Sequence, residues 1–159
     1  MTSSPSKNPA NSHEYKLANV LFVEDSQADI VLTKAIMKKQ NIHFDVRFLR
    51  DGDEAVDFLN SDDSFGDDIH LIFMDFNLPK RNGLEVLEFV KNHKDLNHIP
   101  VIMLSGSNEP SDMQQAKELG AESYIIKPLH EDHLEKAVEN IKSLRFTRKD
   151  NDKYLYSTI

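Results

Sequence analysis

Five polar residues stand directly behind short apolar runs, and their types suggest one chemistry. Glu24 and Asp25 follow "VLFV", Asp75 follows "LIFM", Ser105 follows "VIML" and Lys127 follows "SYII". Three carboxylates gathered in a small site repel one another unless a cation joins them. A hard divalent ion held by a few oxygens and waters relieves that repulsion. Magnesium keeps open positions for phosphate oxygens, and a lysine and a small hydroxyl at the opposite edge suit the rest of a phosphoryl group. In that company Asp75 is placed to act as a carboxylate nucleophile and form an acyl phosphate. No GxxxxGK[ST] loop is present, so nucleotide binding is not indicated.

Such a site needs elements that deliver all five side chains to one rim. From Asn19 onward the chain repeats a rhythm: "NVLFV", "HFDVRFL", "HLIFM", "PVIML" and "SYII" are short apolar runs, each followed by a segment of helical spacing. Runs that are apolar on both sides suit parallel strands covered on both faces. Five β-α units in a row predict a doubly wound α/β sheet, which gathers ligands beyond the carboxyl ends of its strands. Ser26 with Asp29, and Asp51 with Glu54, read as capping boxes that open two helices. Leu134, Ala137, Val138, Ile141 and Leu144 form an apolar stripe that predicts a last helix reaching Leu144. A strand-end acid taken singly is more often a helix cap. Coincidence across four strands favours a shared site.

Composition narrows the function classes. The chain has 159 residues, 39% hydrophobic and 29% charged, which suits one globular domain with a real core. A formal net charge of -8 argues against nonspecific binding to nucleic acid or anionic membrane, so neither is expected as a partner. Without cysteine there is no disulfide, thiol nucleophile or thiolate metal site. Residues 1–16 carry no apolar period and no signal-peptide core and read as a mobile tail; a soluble cytoplasmic protein is the expectation. The acidic stretch Asn60–Asp68 lacks the ligand spacing of a calcium loop and reads as a solvated loop. His130 and His133 lack further close ligands for zinc and read as a solvated helix start.

Four segments, "VLFVEDSQAD", "LIFMDFNLPKRNGLEVL", "PVIMLSGS" and "GAESYIIKP", resemble in order the signature segments of the response-regulator receiver domain of two-component signalling. The spacings also match, with 30 residues from Asp75 to Ser105 and 22 from Ser105 to Lys127. The resemblance implies a flavodoxin-like five-stranded parallel sheet of order 2-1-3-4-5, with five helices on both faces. It implies that Asp75 is the phosphoacceptor. Magnesium would be held by Glu24, Asp25, Asp75 and the backbone carbonyl of Asn77, with Glu24 acting more through water. Lys127 would pair with the phosphoryl group, Ser105 would hydrogen-bond it, and Tyr124 would be the switch aromatic that turns inward. Lys127-Pro128 is similar to a pair whose peptide bond is often cis in the family. Ser105 stands where Thr is commoner, which preserves the hydroxyl. "DGDEAVDFL" and the acidic loop look most like small stand-alone regulators partnered with bacterial phytochromes.

The expectation is therefore a phosphorylation-activated switch rather than primarily an enzyme. It would take its phosphoryl group from a phosphohistidine on a histidine kinase or phosphotransfer protein, and hydrolyse it slowly. A magnesium-dependent aspartyl phosphatase would need a second acid two residues after the nucleophile, where Asn77 stands. An unphosphorylated adaptor with the same fold is the other alternative. The receiver domain is expected over residues 17–145, and a C-terminal extension over 146–159. "YLYSTI" leaves two readings open: a disordered end, or an arm that packs on the domain or on a second subunit. The resemblance favours a homodimer through the face of the fourth helix, fifth sheet strand and fifth helix.

Overall fold

The structure is a computed structural model that describes residues 15–61 and 68–158. Five strands form one parallel sheet: β2 (Asn19–Val23), β4 (Asp45–Leu49), β5 (Leu71–Asp75), β6 (Val101–Ser105) and β7 (Ser123–Ile126), in the order β4-β2-β5-β6-β7. That is the predicted order. Side chains alternate across the pleat as the period of two requires. Leu21, Val23, Ile72, Met74, Val101 and Met103 fill one core, and Val20, Phe22, Leu71, Phe73, Ile102 and Leu104 fill the other. The helices α2 (Gly52–Asn60), α3 (Gly83–Asn92) and α4 (Pro110–Glu118) bury Val56, Val86, Leu87 and Ala116 in the first core. The helix α5 (Glu131–Val138) buries Leu134 and Val138 in the second, where α1 (Gln27–Lys39) adds Met37. Because both faces are covered, the apolar runs are continuous rather than alternating.

Local caps fix where the helices begin. Ser26 Oγ accepts from the Asp29 amide, and Asp51 Oδ1 accepts from the Glu54 amide. In both helices the reciprocal half of the box is diverted: Glu24 Oε2 takes the Ser26 amide and Glu54 Oε1 takes the Arg50 amide. The complete capping box is at α3, between Asn82 and Glu85.

A second sheet lies outside the predicted rhythm. Strands β8 (Leu144–Lys149) and β9 (Asp152–Thr158) form an antiparallel hairpin, and β9 also pairs with β1 (Tyr15–Leu17) and β3 (Ile42–His43). The predicted last helix is corrected here: α5 ends at Val138. The apolar stripe stays buried because three-residue turns, Ile141 N–H to Val138 O and Leu144 N–H to Ile141 O, keep its step as the chain enters β8. The hairpin buries Leu155 against Ala18, Ile42 and Leu144, so the C-terminal segment is an ordered arm on its own domain. Tyr15 and Lys16, assigned above to the tail, form the start of β1, while residues 1–14 lie outside the described residues. Residues 62–67 of the acidic stretch also lie outside them. No helix among the described residues is long and apolar enough to cross a membrane.

Candidate functional site

The sheet order places the site. Strand β2 lies between β4 and β5, and Val23 is registered with Met74, so the next residues, Glu24 and Asp75, leave the sheet as neighbours. Asp75 is registered with Leu104, and Ser105 with Ile126, which brings Ser105 and Lys127 to the same rim. Glu24, Asp75 and Ser105 are buried, whereas Asp25 is exposed.

Lys127 is the hub. Its ammonium donates to Glu24 Oε1 at 2.8 Å, to Asp29 Oδ2 at 2.9 Å and to Asp75 Oδ1 at 3.2 Å. The peptide bond that follows it, to Pro128, is cis. Burial alone would lower the lysine's pKa, but its hydrogen bonds to Glu24 and Asp29 and the charge of Asp75 raise it overall, so it stays an ammonium. The phosphoacceptor candidate shifts for the opposite reason. Burial, then the hydrogen bond and charge of Glu24, push the Asp75 carboxyl up to about 7 against the pull of Lys127. Such a carboxylate is short of positive charge. Ligand oxygens of Glu24, Asp25 and Asp75 lie within 4.8 Å of one another, a donor set of hard oxygens that suits a divalent cation.

A second chain of contacts leads away from the carboxylates. The Ser107 amide donates to Ser105 Oγ at 3.0 Å, and the Tyr124 hydroxyl donates to the Ser107 carbonyl at 3.2 Å. The Tyr124 ring meets Phe76 edge-on, 6.1 Å between centroids. Asn77 follows closely, its amide 3.3 Å from Asp75 Oδ1. The predicted site residues Glu24, Asp25, Asp75, Asn77, Ser105, Tyr124 and Lys127 therefore lie at this rim or join it through these contacts. Two others were not anticipated. Asp29 reads in the sequence only as part of a helix cap, and Arg50, whose Nη2 donates to the Asp25 carbonyl at 3.1 Å, carries no motif.

The chain belongs to the response regulator receiver domain family, whose model matches residues 20–139. The bacteriophytochrome response regulator AtBRR is 38% identical, with a TM-score of 0.70 over 78% of this chain and 91% of that one. Response regulator Rcp1 of Synechocystis sp. is 36% identical over 78% of this chain and 86% of its own length. A crystal structure of the Mn(2+)-bound form of Rcp1 matches with a TM-score of 0.63 over 79% of this chain and 92% of that one. The phosphorylated cyanobacterial phytochrome response regulator RcpA is 32% identical, with a TM-score of 0.64 over 80% and 92% of the two chains. The class is thus a receiver of two-component signalling, and two of these relatives, AtBRR and RcpA, are phytochrome response regulators.

Proposed function

We propose that this chain is a phosphorylation-activated signalling switch in which Asp75 accepts a phosphoryl group from a phosphohistidine of a phytochrome-type histidine kinase. The observation that carries the reading is the shared contact of Lys127 with Asp75 and Glu24, beside three convergent carboxylates. The Mn(2+)-bound relative and the phosphorylated relative support the two halves of that chemistry.

In transfer, a carboxylate oxygen of Asp75 bonds to phosphorus, and the P–N bond breaks with its electron pair returning to the imidazole. Glu24, Asp25, Asp75 and the Asn77 carbonyl would hold magnesium, which would supply positive charge against the phosphoryl oxygens. Lys127 already holds Asp75 and follows the charge onto the phosphoryl group. Ser105 turns its hydroxyl to a phosphoryl oxygen. That movement takes the acceptor from the Ser107 amide, and Tyr124, tied to the Ser107 carbonyl, moves with it. Water then attacks phosphorus, the Asp75 O–P bond breaks, and the switch resets. Turnover serves timing, so we do not class the chain primarily as an enzyme.

The output is protein contact in the cytoplasm, and we extend the reading to a homodimer through the face of α4, β7 and α5. Asn77 in place of a second acid weighs against a phosphatase of small phosphomonoesters, and the intact set Glu24, Asp25, Asp75, Ser105 and Lys127 weighs against an unphosphorylated adaptor. Incubation with Mg2+ and acetyl phosphate tests this. One acid-labile phosphoryl group per chain is expected, lost on chelation or in Asp75→Asn. No incorporation would favour the adaptor, and rapid turnover of many phosphomonoesters the phosphatase.

A further inference from the structure

Asp29 sits in the first turn of α1 behind a Ser26 cap, where a local capping box would turn its carboxylate back to the Ser26 amide. Glu24 occupies that amide instead. The Asp29 carboxylate is thereby freed to cross to the end of β7, where it meets the Lys127 ammonium at 2.9 Å, beside a small open cavity lined by Glu24, Lys127 and Pro128. Lys127 thus carries three carboxylates for one positive charge. Two of them, Glu24 and Asp75, also belong to the set that offers ligand oxygens to a cation, and Asp29 does not. A cation drawing on Glu24 and Asp75 leaves Asp29 as the anion still holding the lysine.

We propose that Asp29 is a positioning residue that acts through Lys127, as a built-in counter-anion with which an incoming phosphoryl group must compete for the ammonium. This rests on the phosphoacceptor reading of Asp75. Asp29 holds Lys127 toward α1, and a phosphoryl group on Asp75 draws it back over β5. The competition weakens the hold on phosphoryl and shortens the lifetime of the signal. The Asp29 side chain is 38% exposed, so the effect is moderate and screened by salt.

Beryllofluoride with saturating Mg2+ is the probe, its Kd measured by titration calorimetry on the full chain. Removing the competing charge in Asp29→Asn should tighten binding about three- to tenfold. Asp29→Glu, which keeps the anion, should stay within about twofold of the wild type, and high salt should close the gap between wild type and Asp29→Asn. A purely structural role at the helix start would move unfolding midpoints but not reverse this order. An unchanged or weakened Kd in Asp29→Asn, with wild type binding normally, overturns the counter-anion role alone. No binding to the wild type overturns the phosphoacceptor reading and this inference with it.

Discussion

At pH 8 and without a divalent cation, residue 75 is a carboxylate beside a second buried carboxylate, Glu24, with Lys127 as their shared counter-ion. The folded pKa of Asp75, about 7, lies above the usual carboxylate range, so the folded state holds that proton more firmly than the unfolded state. The stability this contributes is fully present below the unfolded pKa and is lost as pH rises through about 7. Asp75→Asn removes the charge and keeps the shape. In chelator at pH 8 it should be more stable than the wild type by about 1–3 kcal/mol, and the gap should vanish toward pH 4. Urea unfolding across that range measures it; a variant less stable at pH 8 contradicts the charge imbalance. Glu24, Asp25, Asp75, Ser105 and Lys127 were legible in the sequence because each follows an apolar run, and a parallel sheet delivers strand ends to one rim. Asp29 was not. S-x-x-D reads as a local cap, and only the competing bond from Glu24 to the Ser26 amide turns it into a long-range ion pair.

At the scale of elements, the loop between β5 and α3 is set by two close backbone approaches. A Cβ on Gly83 would overlap the Asp75 carbonyl oxygen and sit 2.9 Å from the Phe76 Cα, and one on Gly52 would overlap the Arg81 carbonyl. Ion pairs from Asp51 to Lys80 and from Asp53 to Arg81 tie the start of α2 to the same loop. Gly83→Ala must therefore displace the end of β5, at a cost of about 1–3 kcal/mol in stability, and should slow phosphorylation of Asp75. Unchanged stability by denaturant titration contradicts this packing. The five sheet strands were legible because burial on both faces leaves continuous apolar runs. The hairpin was not: "LRFTRK" is half charged, since β8 is an edge strand with one face in water. Overrun of the last helix has a related cause, because three-residue turns carry the same apolar step as a helix.

Across the whole molecule, the hairpin closes the side of the sheet that α1 and α5 cover incompletely, with Ile30 the buried residue of α1. Leu155, fully buried, anchors it, while Arg148 and Lys153 bridge Glu131 and His43 pairs with Asp152. Leu155→Ala should cost about 2–4 kcal/mol, chiefly from the lost burial and the cavity left behind. A thermal midpoint within a degree of the wild type would mean that the arm is not part of the core. The site lies at the carboxyl rim of the parallel sheet, and the proposed phosphoryl transfer falls on Asp75. The direct test is to phosphorylate the chain with Mg2+ and acetyl phosphate, trap the acyl phosphate by borohydride reduction, and map the modified residue by peptide mass spectrometry. Modification at Asp75, absent when Mg2+ is chelated, is the predicted result; modification at another residue, or undiminished incorporation in Asp75→Asn, would contradict the account.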